Sequence, residues 1–190
     1  MMGILSRATP LLITILGFFL VVPSAEAGGP WRAQVVDAET GQPIEGVVIL
    51  AYWIKYKASP GGWAGAEYYA AEEVVTGRDG RFEIPAKIAF NWLPFLTQIR
   101  GPEFKIFKPG HGRWRVRGIE TLPEAWRELQ EWDLLAKDGI VIELPPLKTR
   151  EQRLKFYGAL GWPGFIPPEK TRRMREAEDA ERAYFGFRSR

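Results

Sequence analysis

The sequence contains no cysteine and a single histidine, His111. Without cysteine, the chain has no disulfide bond, no thiolate nucleophile, no cysteine ligand for zinc and no cysteine-linked lipid. One histidine is too few for a catalytic zinc site of the type that needs two histidines and a carboxylate. Composition therefore excludes thiol catalysis and zinc peptidase activity, and leaves burial of apolar side chains as the source of stability.

Serine is scarce downstream of residue 27, where only Ser59 and Ser189 occur. Ser59 lies in a glycine-rich stretch and Ser189 lies next to the C-terminus, so neither has the sequence context of a nucleophile elbow. A Ser-His-Asp triad is therefore disfavoured. The position of His111 after a Lys-Pro-Gly sequence predicts a surface turn residue.

The first 27 residues have the three-part pattern of a secretory signal peptide. Arg7 supplies the positive charge near the N-terminus, residues 11–22 form a run that is apolar apart from Thr14 and Gly17, and Ala25-Glu26-Ala27 places small residues at a cleavage site. The run is shorter than the roughly 20 residues that span a bilayer. We therefore predict a signal peptide at 1–27 that is cleaved after Ala27, and export to the periplasm or the exterior of the cell.

The stretch 37–53 predicts a tight turn that leads into a buried β-strand. Gly41 and Pro43 mark the turn, and both alternating faces of the strand at 44–56 are apolar, which requires cover on both sides. Further strands are predicted at 31–36, 67–76, 82–85, 104–108, 114–117 and 140–144. The expected fold is mainly β, a seven-stranded antiparallel β-sandwich that spans 28–147.

Turn-forming residues predict how these strands are connected. The glycine-rich stretch 57–66 predicts a mobile loop, and Asp79-Gly80 predicts a β-hairpin turn because both residues tolerate positive φ angles. Residues 86–101 are apolar without a clean period, and the Asn-Trp-Leu-Pro sequence interrupts any helix. We expect this segment to form a loop folded over the core.

Residues 121–138 predict a helix inserted between the last two strands. Thr121 and Glu124 fit a capping box. Apolar side chains recur at helical spacing, namely Leu122, Ala125, Trp126, Leu129, Trp132 and Ala136. We expect this stripe to cover the second face of the strand at 44–56, while the opposing sheet covers the first.

Basic residues outnumber acidic ones after residue 147, where we predict a basic helical C-terminal extension, 148–190. Thr149 and Gln152 fit a second capping box, which predicts a short helix. The following helix, predicted at 169–184, is charged and has only a thin apolar edge. We therefore expect it to be marginally stable.

Three segments resemble the carboxypeptidase regulatory-like domain, which belongs to the transthyretin-like (prealbumin-like) group of β-sandwiches. They are DAETGQPIEGVVILAYW at 37–53, VVTGRDGRFEIP at 74–85 and FKIFKPGH at 104–111. The resemblance implies that the first is the turn into the second strand. It also implies that the second is a hairpin followed by a core-facing aromatic residue. In the third, His111 stands where tyrosine is usual.

These motifs are structural, so the resemblance implies a fold and an exported bacterial protein rather than a reaction. Ureide hydrolases of the transthyretin-like group depend on more than one histidine, and this chain has only His111. The resemblance covers about 31–111. It offers no parallel for the extension beyond residue 147.

Two sets of side chains are candidate binding surfaces. The first is aromatic and brackets the glycine-rich stretch, where a planar ring could stack on a sugar or contact a partner protein; its members are Tyr56, Trp63, Tyr68 and Tyr69. The second is a basic patch on the extension, suited to an anionic membrane surface; its members are Lys170, Arg172, Arg173 and Arg175. The alternatives are core packing with Trp63 as a lid, and a solvated helix face.

We therefore expect an exported, non-catalytic β-sandwich module that binds an envelope protein or a glycan, or serves as a structural partner. No cofactor, metal or nucleic acid is expected, and no catalytic residue is assigned. One alternative is a carbohydrate-active enzyme with paired carboxylates, which only their separation in space can decide. The other is association with a membrane surface through the basic extension.

Overall fold

The structure is a computed structural model that describes residues 24–161 and 163–188. Most of the predicted signal peptide, as well as Ser189, lies outside the described residues. The strands are β1 Ser24–Gly28, β2 Trp31–Asp37, β3 Val48–Ser59, β4 Gly62–Val75, β5 Arg81–Ile84, β6 Lys87–Asn91, β7 Thr97–Phe107, β8 Arg115–Val116 and β9 Val141–Leu144. The helices are α1 Glu124–Arg127, α2 Glu131–Leu135, α3 Arg150–Ala159 and α4 Arg172–Phe185, with 3₁₀ turns at Ile119–Thr121 and Pro168–Lys170.

Two sheets face each other across the main core. One has the strand order β5-β2-β9-β8 and the other has the order β4-β3-β7, while β1 and β6 form a separate two-stranded sheet. All pairs are antiparallel except β2 and β9, which run parallel. The expectation of a mainly β, sandwich-like fold is confirmed. The expectation of antiparallel pairing throughout is wrong at β2 and β9.

The main core is filled from the inner faces of both sheets. It includes Trp31 and Val35 of β2, Ile49 and Trp53 of β3, and Ile142 of β9, each at most 2% exposed. The rings of Trp31 and Trp53 meet edge to face, with centroids 5.6 Å apart. Large aromatic side chains thus supply the apolar burial that a chain without disulfides needs.

Strand β3 is buried on both faces, as its sequence predicts. Val47, Ile49, Ala51 and Trp53 point into the main core, and Val48, Leu50, Tyr52 and Ile54 belong to a second apolar cluster on the outer face. The strand is also central in its sheet, since β4 pairs with one edge and β7 with the other. It therefore organises both cores.

The predicted helix 121–138 is wrong as a single element. A 3₁₀ turn, α1 and α2 replace it, and Gln130 between the two helices has extended backbone angles. The capping box does not form, because the Thr121 hydroxyl donates to the Gly118 carbonyl instead. Trp126, Leu129 and Trp132 all pack on the main core. This tertiary packing overrides the local helical pattern.

The outer face of β3 is covered by the C-terminal extension and not by the inserted helices. Leu134 and Leu135 of α2 lie in the main core, on the inner side. The second cluster instead contains Ile166 and Met174, with Phe156 and other partly buried side chains of the extension packed against it. The expectation that the inserted helix covers this face is therefore wrong, and the extension is a layer of the fold.

The extension is fixed to the body by polar contacts as well. The Glu73 carboxylate of β4 accepts hydrogen bonds from the backbone N–H groups of Arg173 and Met174 at the start of α4, at 3.0 and 2.9 Å. The buried Glu181 carboxylate accepts from Arg153 of α3 and from the backbone N–H of Gly110. The predicted capping box of α3 is confirmed, with both reciprocal bonds present.

Three predicted connections differ from the structure. Strands β3 and β4 continue through 57–66 as a hairpin that pairs Ser59 with Gly62, so the predicted mobile loop is wrong. Residues 86–101 form β6, a turn and the start of β7 rather than a loop. The Asp79-Gly80 turn does not make a hairpin, because β4 before it and β5 after it belong to different sheets. The Gly80 carbonyl accepts a hydrogen bond from the Val35 N–H of β2.

Candidate functional site

A groove runs beside β7 and is built from three parts of the chain. Its floor is formed by β7, one wall by α2 and the other by the end of α3 with Gly161. The groove encloses a volume of about 580 Å³, which lies within the usual range for ligand sites. We call it the β7 groove.

The floor of the β7 groove is the open edge of a sheet. Four consecutive residues of β7, from Glu103 to Ile106, line it. Because successive side chains point to opposite faces, a surface that contacts four residues in a row must follow the edge of the strand. In the part of the chain that the structure describes, β7 has one strand neighbour in its sheet, β3. The groove therefore follows an edge at which backbone groups are open to pairing.

Tyr52 and Glu103 form a hydrogen-bonded pair at the base of the groove. The Tyr52 hydroxyl donates to Glu103 Oε2 at 2.5 Å. Burial raises the pKa of Tyr52, and its hydrogen bond to the negative Glu103 raises the pKa further. Tyr52 therefore stays protonated and holds the carboxylate in place from β3, the central strand.

Glu131 faces the same groove from α2. Burial raises the pKa of Glu131 and the charge of Glu103 adds to this effect, while Arg113 and Lys105 act in the opposite direction. The residue as a whole is nevertheless exposed to solvent, so its ionisation as the pH rises has only a small, screened effect on stability. The groove brings together two carboxylates, two cations and a buried phenol.

The four aromatic candidates do not form one surface. Tyr56 and Tyr68 pack on the outer cluster of β3, and Tyr56 lies under the Arg100 guanidinium, 5.4 Å from the ring centroid. Tyr69 packs on the main core, on the opposite face, and its hydroxyl accepts from the Phe90 N–H. Trp63 is exposed near the tip of the β3–β4 hairpin. Their roles as ligand contacts stay a prediction.

The basic patch lies at the start of α4. Lys170, Arg172, Arg173 and Arg175 are all exposed. Arg172 pairs with Glu176 at 3.3 Å, and Arg175 donates to the Thr171 hydroxyl at 3.1 Å. The patch therefore sits on a packed helix, and its membrane role stays a prediction.

His111 contacts the Asp37 carboxylate and the Pro109 backbone carbonyl rather than a serine hydroxyl. His111 Nε2 lies 3.8 Å from Asp37 Oδ2, and its other ring nitrogen lies 3.3 Å from the Pro109 carbonyl. Hydrogen bonds from Thr40 and Glu39 lower the pKa of Asp37. Ser59 donates to the Gly62 carbonyl in the hairpin turn. The contact between His111 and Asp37 joins the turn at 108–111 to the turn at 37–41, in which Asp37 accepts a hydrogen bond from the Thr40 N–H at 2.8 Å.

Within residues 24–161 and 163–188, no group of three histidine or carboxylate side chains could hold a metal ion. Over the same ranges, no helix combines the length and apolar character needed to cross a membrane.

The sequence pattern does not reveal the β7 groove. It places Glu131 on the wet side of a long helix and assigns no role to Glu103 or Tyr52. The one local signal is that Tyr52 is a polar-tipped residue on a strand apolar on both faces, which requires a hydrogen-bond partner. The identity of that partner depends on the pairing of β3 with β7, where Tyr52 lies opposite Glu103.

Comparisons of this chain with protein-family models, with curated proteins and with solved structures gave no match.

Proposed function

We propose that this protein is an exported, non-catalytic β-sandwich module of the carboxypeptidase regulatory-like kind, which binds a partner protein in the cell envelope. The positions of the resembling segments support the fold, except that the Asp79-Gly80 turn links two sheets where the resemblance implies a hairpin. Residues 37–53 contain the turn into β3, and the segment 104–111 contains the end of β7. Phe82, which follows Asp79-Gly80, is buried in the main core. The leader pattern of the first 27 residues supports export.

The observation that carries the binding role is the course of the β7 groove along an open strand edge. An extended peptide there can pair with β7 through backbone hydrogen bonds, while pockets on either side accept alternate side chains. The lining of the groove offers both charge signs, with Glu103 and Glu131 close to Lys105 and Arg113. Such a site selects a partner segment by its charge pattern as well as by its extended shape.

A blocking substitution tests this role. Gly161 lines the groove, and a Cβ at that position would meet open space. Gly161→Leu is therefore expected to leave the fold intact and weaken peptide binding about tenfold or more. Gly158→Leu is the matched control, because a Cβ there also meets open space and Gly158 does not line the groove.

The ligands for this test are peptides selected against the protein from a displayed random library. Calorimetry gives their affinities for the two variants, and amide hydrogen exchange maps the contact. Support requires protection of the amides at 103–106 and weaker binding to Gly161→Leu only. Failure to select any peptide, or protection confined to another surface, would contradict the proposal.

A second candidate function is glycan hydrolysis by paired carboxylates, because Glu103 and Glu131 line one groove. Glu131, whose pKa is raised, would serve as the general acid, and Glu103 would be the second carboxylate. Incubation with envelope glycans, followed by chromatography of the products, tests it. Product release that both Glu103→Gln and Glu131→Gln abolish would establish the enzyme, and the absence of products would leave the binding role.

A further inference from the structure

The segment 88–96 presents a concentration of apolar side chains to solvent. Six large apolar residues in this stretch are between 37% and 70% exposed: Ile88, Phe90, Trp92, Leu93, Phe95 and Leu96. They occupy β6 and the turn into β7. An apolar cluster of this size on a surface marks a contact with a partner or a membrane. We call this segment the apolar tip.

Several backbone groups in the turn of the apolar tip are already hydrogen-bonded. Buried Asn91 accepts from the Leu93 N–H and the Thr97 hydroxyl, and its amide donates to the Thr97 carbonyl at 2.7 Å. The N–H groups of Leu96 and Thr97 both donate to the Leu93 carbonyl. Polar groups that are satisfied internally can enter an apolar medium at little cost, whereas unpaired ones cannot.

The segment that contains the apolar tip carries only basic charges of its own, although Lys87 pairs with Glu72 of β4 at 3.0 Å and Glu26 of β1 lies opposite Ala89 in the ladder. The sequence from Ile84 to Pro102 contains no acidic residue, and its two charged side chains are Lys87 and Arg100. The turn also lies beside the end of β3, where the Ala58 N–H donates to the Leu96 carbonyl at 2.8 Å. Exposed tryptophan, phenylalanine and leucine with basic residues on either side in the sequence is a composition found in segments that enter the interface of an anionic bilayer.

The first described residue of the chain, Ser24, lies beside the apolar tip. Strand β1 pairs Ser24 with Asn91, so the point at which β1 begins lies next to Trp92 in the turn. The apolar run 11–22 comes directly before β1 in the sequence. A run of this type is inserted into a bilayer during export. While it is attached, it brings the body to the membrane with the apolar tip facing the lipid.

We propose that the apolar tip is a membrane-docking surface, which inserts its exposed aromatic and aliphatic side chains into the interface of an anionic bilayer. The contact differs from the one predicted for the basic patch on α4, because its main contribution is apolar burial and not charge attraction. It is also separate from the β7 groove. An envelope partner can therefore bind the groove while the tip rests on the lipid.

Co-sedimentation with vesicles of phosphatidylethanolamine and phosphatidylglycerol tests the proposal. The protein used begins at Ser24, so that every described residue is retained and the run 11–22 cannot bind lipid itself. Trp92→Ser combined with Phe95→Ser is expected to lower vesicle partitioning about tenfold or more. Leu154→Ser combined with Phe187→Ser is the matched control, because both side chains are exposed elsewhere, and it should bind like the parent protein.

Fluorescence gives a second readout that does not depend on the amount bound. Trp92→Phe keeps an apolar ring at the tip, so it should partition like the parent protein and lose most of the vesicle-induced blue shift. Substitution of the four basic-patch residues by glutamine should reduce partitioning less than the tip variant does. High salt should weaken the binding without abolishing it.

Three results would overturn the proposal. The first is a parent protein that does not sediment with vesicles, and the second is a tip variant that binds as well as its control. The third is a lipid-free dimer in analytical ultracentrifugation that the tip substitutions dissociate, which would assign the surface to self-association. Circular dichroism of each variant establishes that it is folded.

Discussion

The C-terminal extension and the apolar tip are each buried to a degree that their composition does not suggest. The extension is rich in charge, yet Met174 of α4 is fully buried on the outer face of β3. The tip is almost entirely apolar, yet Trp92 is one of the most exposed large side chains. The difference teaches that a segment packs when the fold offers it a complementary face. The extension has such a face in β3, with Glu73 and Gly110 as polar contacts.

Removal of residues 148–190 should have the largest effect on this comparison. It would uncover the outer face of β3, with Val48, Leu50, Tyr52 and Ile54. At about 1.5–3 kcal/mol for each buried apolar side chain, the loss is on the order of 5 kcal/mol or more, as much as the whole stability of many domains. Urea unfolding followed by circular dichroism measures it. A truncated protein with an unchanged midpoint would show that the extension is not part of the fold.

Glu181→Ala should have the next largest effect. The substitution leaves the Arg153 guanidinium buried without its carboxylate and removes the acceptor of the Gly110 N–H. Loss of one partner of a buried ion pair costs about 3–5 kcal/mol. Glu176→Ala breaks the exposed pair with Arg172 and is the control, with an expected change of about 0.5 kcal/mol or less. Urea unfolding measures both variants. Equal losses of stability would show that the Glu181–Arg153 pair contributes no more than an exposed ion pair.

Glu73→Ala should destabilise the protein by about 1 kcal/mol. Its carboxylate accepts from two N–H groups in the first turn of α4, as a capping side chain does, and its charge favours the N-terminal end of the helix dipole. The neighbouring Glu72→Ala is the control, since Glu72 is exposed and pairs with Lys87. Thermal unfolding of both variants provides the measurement. A larger loss in the control would show that the cap contributes little.

Trp92→Ser should have the smallest effect on stability. The side chain is 70% exposed, so its loss should change the free energy of unfolding by about 0.5 kcal/mol or less. Met174→Ala, on the buried edge of α4, should cost about 2–5 kcal/mol under the same conditions. If Trp92→Ser instead destabilised the isolated protein as much as Met174→Ala, the tip would be part of the core and not a docking surface.

Local signals in the sequence predict the parts of the fold that depend on near neighbours. The two apolar faces of β3 and the Thr149–Gln152 capping box are both correct, because alternation and capping act over a few residues. The segment 121–138 shows the limit of such signals. Its helical spacing is real, but the helix is broken near Gln130, and Trp126 and Trp132 on the two sides of the break both pack on the main core.

The candidate site depends on contacts that sequence spacing does not encode. Glu103 lies on β7 and Glu131 on α2, and they share a groove because β7 is an edge strand and α2 packs beside it. The role of the extension is hidden for a related reason. The apolar edge of α4 is too narrow to predict from the sequence that the helix packs on the body. In the fold it packs on β3, and Glu73 and Glu181 accept hydrogen bonds from donors beside this contact.

If the first 27 residues are a signal peptide, its removal and the pairing of β1 with β6 compete for the same residues. Ala27 lies opposite Ile88 in the antiparallel ladder, and a peptidase needs an extended segment that is free of other pairing. If the leader is removed after Ala27 as predicted, the cut has to come before this ladder closes. A chain that closes it first would keep its leader and stay tethered to the bilayer. The relative rates of the two events would then set how the protein divides between a released and an anchored form.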